Sequence, residues 1–226
     1  MFSASLPLAE RYAELLAGPG VLRGLIGPRE VPRLWERHLV NCALLGRAID
    51  RDVDVCDIGS GAGLPGVVLA ICRPDLSLIL VEPLLRRSTF LSEVVTELSL
   101  RNVEVVRARA EELHGQRDFA VVTSRAVAPL GRLLDWSMPL VREGGHLIAM
   151  KGVSAPAEVE SSVKVLRKHG AGEVSVETHG SGLIDPPTTV VRVVADRPSR
   201  LGLAFEGDTS AGRPEKEQHG LREKKR

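Results

Sequence analysis

One stretch constrains this chain more than any other: Asp54-Val55-Cys56-Asp57-Ile58-Gly59-Ser60-Gly61-Ala62-Gly63-Leu64-Pro65-Gly66. Val53, Val55 and Ile58 suit a buried parallel strand, the alternating Gly59, Gly61 and Gly63 permit a tight turn, and Pro65 suits the first turn of a helix. At such a junction, backbone without side chains lets a ligand come close, and free N–H groups at the helix start face it. The site has the shape of a nucleotide site. A turn that serves only the strand-to-helix connection is the plain alternative.

Which nucleotide is decided by charge. Gly61-Ala62-Gly63-Leu64-Pro65-Gly66 satisfies the dinucleotide pattern G-x-G-x-x-G, with the acidic Glu82 about 20 residues on. A pyrophosphate, however, gains nothing from a carboxylate at the strand end, where Asp57 stands. S-adenosylmethionine carries an ammonium and a sulfonium, and a carboxylate there complements both. Asp57-Ile58-Gly59-Ser60-Gly61-Ala62-Gly63 therefore resembles the first motif of class I methyltransferases.

At 226 residues the chain has room for one α/β domain and an extension. A formal charge of +1 announces no global basic field, so any RNA contact must come from a local patch. Cys42, Cys56 and Cys72 are too widely spaced for C-x-x-C sites and lie in apolar patterns, which predicts core residues, a reducing compartment and no metal. There is neither a charged segment followed by an apolar run at the start nor any stretch near the roughly 20 apolar residues of a membrane span. A cytoplasmic protein without a membrane partner is expected.

The spacing predicts a short helix over 6–17, ended by Gly18-Pro19-Gly20, and an amphipathic helix from Val31 to Ile49. On the second, Arg33 and Arg37, with Arg23 and Arg29 before it, are candidates to flank the ligand, and His38 lies on the apolar stripe as a satisfied, partly buried histidine. A helix over Leu64–Cys72, a strand over Leu76–Val81 ending at Glu82, and a helix opened by Arg86 and Arg87 follow. Further strands are expected at Val103–Arg107, Asp118–Thr123 and His146–Met150. Between the last two lies a helix carrying Leu130, Leu133, Leu134 and Val141, interrupted near Pro139. A helix over Ala155–His169 and a hairpin of Glu173–Glu177 with Thr189–Ala195 complete the pattern. This divides the chain into a helical extension (1–50), a cofactor-binding core (51–197) and a disordered tail (198–226) with a basic end, Arg222 to Arg226.

The strand ends gather Asp57, Glu82, Glu111, Arg125 and Lys151 at one edge of a parallel sheet. Methyl transfer is an in-line displacement that needs alignment and exclusion of water. Enzymes that methylate exocyclic amines commonly carry an N/D-P-P-Y/F segment after the fourth strand, where this chain has Thr123-Ser124-Arg125-Ala126. Attack from a pyrimidine C5 needs a cysteine nucleophile, and no cysteine follows the fourth or fifth strand. A nucleophile with a free lone pair is favoured, guanine N7 among them, and no general base is required.

Trp35-Glu36-Arg37-His38-Leu39, the 57–66 stretch, Arg87 with Phe90-Leu91, Ser124-Arg125-Ala126 and Lys151-Gly152 together resemble the RsmG (GidB) family. The resemblance implies a Rossmann-like α/β class I methyltransferase fold with a mostly parallel seven-stranded sheet and an N-terminal helical extension. It also implies S-adenosylmethionine as cofactor and N7 of a guanine in small-subunit (16S) ribosomal RNA, or the 30S particle, as substrate, with a monomer expected. Cofactor contacts would fall on Asp57, Gly59, Gly61, Gly63, Leu64, Glu82, Ala110, Glu111 and Arg125. Ala110-Glu111 would hold the adenine. Arg125 would bind the methionine carboxylate or guide the guanine, unless it is tied in a salt bridge to Asp57 or Glu111. Arg37, Arg87 and Lys151 would meet RNA phosphates. Two departures stand out: Glu82 replaces the usual aspartate, and Thr188 stands near the place where many members carry arginine. The rival functions are a methyltransferase acting on a small molecule or protein, a nucleotide-sensing module without catalysis, and an NAD-binding protein. The last is disfavoured by Asp57 and by the lack of a second substrate domain.

Overall fold

The computed structural model describes residues 1–196; the tail expected over 198–226, with its basic end, lies outside the described residues. Strands β1 (Asp54–Ile58), β2 (Ser77–Val81), β3 (Val103–Val106), β4 (Phe119–Arg125), β5 (Val141–Lys151), β6 (Ala171–His179) and β7 (Thr188–Ala195) form one sheet in the order 3-2-1-4-5-7-6. The first five pair in parallel, whereas β7 runs antiparallel to β5 and β6. Strand order reverses at β1, between β2 and β4, and open α/β sheets bind ligands beyond the carboxyl ends of strands at such a point.

Alternation along the strands divides the apolar side chains between two faces. Over one face lie α1 (Leu6–Leu15), α2 (Asn41–Leu45), α3 (Gly66–Cys72) and α4 (Leu85–Glu97), joined in a core that includes Tyr12, Leu16, Leu39, Val67, Leu69 and Phe90. The N-terminal segment thus shares its core with the sheet. The other face packs Leu130, Leu133 and Leu134 of α5 (Leu130–Ser137) and Leu166 of α7 (Val163–Lys168) on Val122 and Leu147; α6 (Ala155–Ser161) precedes α7. No helix among the described residues is long and apolar enough to cross a membrane.

Several boundaries differ from expectation for local reasons. The helix expected over Val31–Ile49 opens instead as a tight turn, Pro28–Arg33, containing Pro32, and a wide turn, Leu34–Val40, before it becomes α2. Proline lacks the N–H that a regular helix interior uses. The helix after the glycine turn starts at Gly66, two residues later than Leu64, with Pro65 at its cap. The single helix expected over Ala155–His169 is two helices, broken at Ser162. Val141, assigned by spacing to a helix, opens β5, since the helix before it ends at Ser137 ahead of Pro139. Gly144-Gly145 lies inside β5, where pairing with β4 shifts register; a Cβ on Gly145 would sit 2.7 Å from the Ala120 carbonyl oxygen. The glycine permits the irregularity rather than ending the strand.

Candidate active site

The turn between β1 and α3 is built from its own backbone. Gly59 and Ser60 N–H groups donate to the Val81 carbonyl at the end of β2, and Gly63 N–H donates to Ser60. Gly59, Gly61 and Gly63 all have positive φ, which side-chain-bearing residues rarely adopt. Gly59 has a second reason to lack a side chain: its Cβ would lie 2.9 Å from Cγ2 of Val127, which closes over it. From α1, the buried Tyr12 hydroxyl donates to the Ala62 carbonyl at 2.7 Å and pins the turn from the N-terminal side.

Asp57 does not face the ligand space, contrary to the charge argument made from sequence. It is fully buried beneath the turn, where one oxygen, Oδ2, accepts from Ser60 Oγ at 2.7 Å and from Gly66 N–H at 3.0 Å. Its other oxygen has no hydrogen-bond partner. Burial raises its pKa to about 7 against the opposing pull of the Ser60 and Gly66 hydrogen bonds. Its physical role is to hold β1, the turn and the start of α3 together. Gly63 likewise packs inward, against Tyr12 and Val67.

A hollow of about 860 Å³ opens at the switch point, and Gly59, Gly61, Leu64, Glu82, Arg87 and Arg125 are on its wall. Glu82, only 1 % exposed, accepts from Gly61 N–H and from Leu84 N–H, each at 3.0 Å, and the Arg87 guanidinium lies 3.9 Å away. Two oxygens have about four acceptor positions, so Glu82 retains capacity toward the hollow. Ala110 and Glu111 are not on this wall. The short turn Ala110–Leu113 buries Leu113 and packs Ala110 against the core, which leaves Glu111 facing solvent; Arg107, Ala108, Arg109 and Glu112 take the wall instead.

Arg125 ends β4 and, among the described residues, pairs with neither Asp57 nor Glu111. Its Nη1 donates to Cys42 Sγ at 3.2 Å and its Nη2 donates to His38 Nδ1. His38 Nε2 in turn donates to Glu30 at 2.8 Å, and Glu30 also accepts from Arg37 at 2.9 Å. Burial first, and the Arg125 charge second, lower the His38 pKa. A neutral imidazole with the proton on Nε2 satisfies both partners. His38 is thus the buried, satisfied histidine expected, and it also lies on the hollow's wall. Of the four arginines proposed to flank the ligand, Arg37 alone reaches that wall; Arg23 pairs with Glu93.

A second hollow, of about 820 Å³, shares Arg37, Arg125, Ala126 and Val127 with the first. Asn41, Lys151 and Glu158 lie on its far side. Lys151 is not the exposed phosphate contact expected from the sequence. Its side chain is 8 % exposed, and its ammonium donates to the Ala128 carbonyl at 2.7 Å and to Glu158 at 2.8 Å. Arg37 and Arg87, with side chains 51 % and 41 % exposed, remain open at the rim. Thr188, in place of an arginine, is buried and hydrogen-bonds Asn41.

Tyr12, Glu30, Cys42 and Val127 were not visible as site residues in the sequence. Each reaches the site through tertiary packing, and the only advance signal was a lone tyrosine on a short apolar helix face.

The family model for GidB, rRNA small subunit methyltransferase G, matches residues 5–184. The chain is 61 % identical over 210 residues to the ribosomal RNA small subunit methyltransferase G of Nocardioides sp., covering 93 % of this chain and 84 % of that one. It is 54 % identical over 214 residues to the protein of the same description from Thermobifida fusca, covering 95 % and 90 %. Among solved structures, Aeropyrum pernix fibrillarin with natively bound S-adenosyl-L-methionine superposes with a TM-score of 0.53 at 18 % identity, covering 70 % of this chain and 75 % of that one. A Thermotoga maritima S-adenosylmethionine-dependent O-methyltransferase gives 0.54 at 12 %, covering 74 % and 71 %. These two likenesses speak for the fold alone.

Proposed function

The chain belongs to the rRNA small subunit methyltransferase G (GidB) family, and from that premise we propose that it methylates N7 of one guanine in small-subunit ribosomal RNA. The observation that carries the reading is the pair of hollows meeting at Arg125-Ala126-Val127. One is suited to a cofactor and the other to an acceptor.

The first hollow fits S-adenosylmethionine. Glu82 has acceptor positions left for ribose hydroxyls, Gly59 and Gly61 offer bare backbone, and we assign the adenine end to Ala108 and Arg109, which take the wall in place of Ala110 and Glu111. Arg125 has guanidinium N–H groups beyond the two it spends on Cys42 and His38, enough to meet a carboxylate or steer a base. When bound, S-adenosylmethionine supplies a methyl carbon already activated by its sulfonium. The chain's own task is to align N7 and keep water away, since N7 has a free lone pair and no proton to lose. His38 and Glu30 are engaged with each other and with Arg125 and Arg37, which agrees with a reaction that needs no general base. At the rim, Arg37 and Arg87 are placed to meet phosphates and orient the RNA without reading its sequence. We place this activity in the cytoplasm, on the small-subunit particle or its precursor, with a monomeric enzyme.

The test is to incubate the protein with radiolabelled S-adenosylmethionine and small-subunit particles from cells lacking the gene, then map the label by N7-specific chain cleavage. One cleaved guanine, lost on Arg125→Ala, is expected. Label without cleavage at N7 overturns the N7 assignment. Cofactor binding without any label points to a sensing module or a different acceptor.

A further inference from the structure

We propose that the second hollow receives the acceptor guanine and that Lys151 selects it by donating a hydrogen bond to O6. The inference rests on the N7 reading above and extends it to the residue that tells guanine from adenine. Lys151 is an odd residue for a phosphate contact: its charge is already matched by Glu158, and little of its side chain meets solvent. Glu158 is itself fixed, accepting from Leu130 N–H at 2.8 Å and Ser154 Oγ at 2.9 Å as well as from Lys151. With two of its three N–H groups spent on Glu158 and Ala128, the ammonium keeps one donor, on the wall of a hollow large enough for a nucleotide.

A single fixed donor suits guanine. Guanine presents acceptors at both N7 and O6, whereas adenine presents an N6 amine, a donor, where guanine has O6. A donor that approaches O6 from the side away from N7 leaves N7 free to attack, and the same donor meets the adenine amine with like polarity. Glu158 matters to the reaction as well as to the position of Lys151. Methylation leaves positive charge on the purine, and an ion pair opposes that charge less than a bare ammonium does.

The wall between the hollows supports the same assignment. Ala126 has φ +56°, in the left-handed region that alanine rarely adopts, and Val127 beside it is partly exposed while it covers Gly59. Strained backbone of this kind persists where the surroundings hold it, and it recurs at ligand clamps. Here it lies in a segment that, with Arg37, lines both hollows.

The experiment uses the full chain and small subunits reconstituted with rRNA whose mapped target guanine is kept or replaced by 2-aminopurine, which retains N7 and lacks O6. Lys151→Met should lower kcat/KM on guanine about 10- to 100-fold, the range for losing a hydrogen bond from a charged donor, with cofactor affinity unchanged. The wild type should lose a similar factor on 2-aminopurine, and the variant should lose nothing further on it. Two losses that multiply, or a Lys151→Met enzyme as active as wild type on guanine, overturn the inference alone. If the wild type forms no N7-methylguanine, the underlying reading falls and takes the inference with it. Should Lys151→Met fail to bind cofactor, the paired Lys151→Met, Glu158→Gln variant leaves no stranded carboxylate and carries the same comparison.

Discussion

Replacing Asp57 by asparagine isolates one fully buried carboxyl. The carboxyl is fully buried, with one oxygen committed to Ser60 and Gly66 and the other unpartnered, and its pKa stands at about 7 in the fold against an ordinary 3.8. Below about pH 4 folded and unfolded chains both hold the proton, and above about pH 7 both have lost it. In between, only the folded chain keeps it, so the group's contribution to stability falls as pH rises. The span corresponds to about 4 kcal/mol. In Asp57→Asn the amide oxygen can accept from Ser60 and Gly66, while the amide nitrogen takes the unpartnered position at a pH-independent cost of about 1–3 kcal/mol. Wild type should therefore be the more stable near pH 4, and the variant should draw level or overtake it by pH 8. Urea unfolding of both proteins at half-unit steps gives the difference directly, and other titrating groups cancel in it. A difference that stays flat across that range, or that grows with pH, would refute the burial argument.

Three further outcomes follow from the same contacts. Tyr12→Phe keeps the apolar packing of α1 but strands the Ala62 carbonyl; urea unfolding should show a loss of about 1–3 kcal/mol, and calorimetry a weaker cofactor affinity. Gly59→Ala forces a Cβ against Val127 at positive φ, so cofactor binding should drop at least about tenfold. Gly59→Ala with Val127→Ala should recover part of that loss, because the clash goes and the backbone strain stays. His38 is held neutral with its pKa lowered, so its stabilising contribution is present above its unfolded value and is lost as pH falls through the folded one. Protonation puts an N–H against Arg125, and the pH profile of kcat/KM should show an acid limb. His38→Asn, which offers an amide oxygen to Arg125, should stay active and lose that limb, whereas His38→Phe should be impaired at every pH.

The parallel core was legible because its signals are local. Val55 and Ile58 before the glycine turn, and Leu78 and Leu80 before Glu82, lie in strands within a residue or so of where periodicity put them. Val141 and Gly144-Gly145 misled because a helix-spaced apolar residue and a glycine pair look alike in a turn and in an irregular strand; what decides is the Ala120 carbonyl across the sheet. At the site, Glu82 was readable because it is the residue immediately after β2, and open α/β sheets bind ligands beyond the carboxyl ends of their strands. Asp57 was readable as important but not as buried. Its neighbours in sequence give no hint that Ser60 and Gly66 curl back over it. Lys151 was read as a surface cation because Glu158, seven residues on, shows its purpose only once α6 folds back on the end of β5.

The deepest gap lies in the first 50 residues, and it has a physical cause. Their periodicity announced helices that must pack on the domain and put four arginines beside the ligand, of which Arg37 alone lines the hollow; it gave no sign that Tyr12, Glu30 and Cys42 would build the site. Tyr12 fixes the cofactor turn, and the chain Arg37, Glu30, His38, Arg125 runs from the rim to the wall that the two hollows share. From α2, Cys42 holds the Arg125 guanidinium, and Asn41, itself held by Thr188 of β7, lines the second hollow. The sheet alone would present Arg125 without the partners that aim it. A core of this fold accepts many substrates, and here the N-terminal segment supplies part of the lining of both hollows. Truncating it should therefore open the core it shares with the sheet as well as remove the partners of Arg125, so methyl transfer and the folded state should be lost together, read by circular dichroism beside the labelling assay.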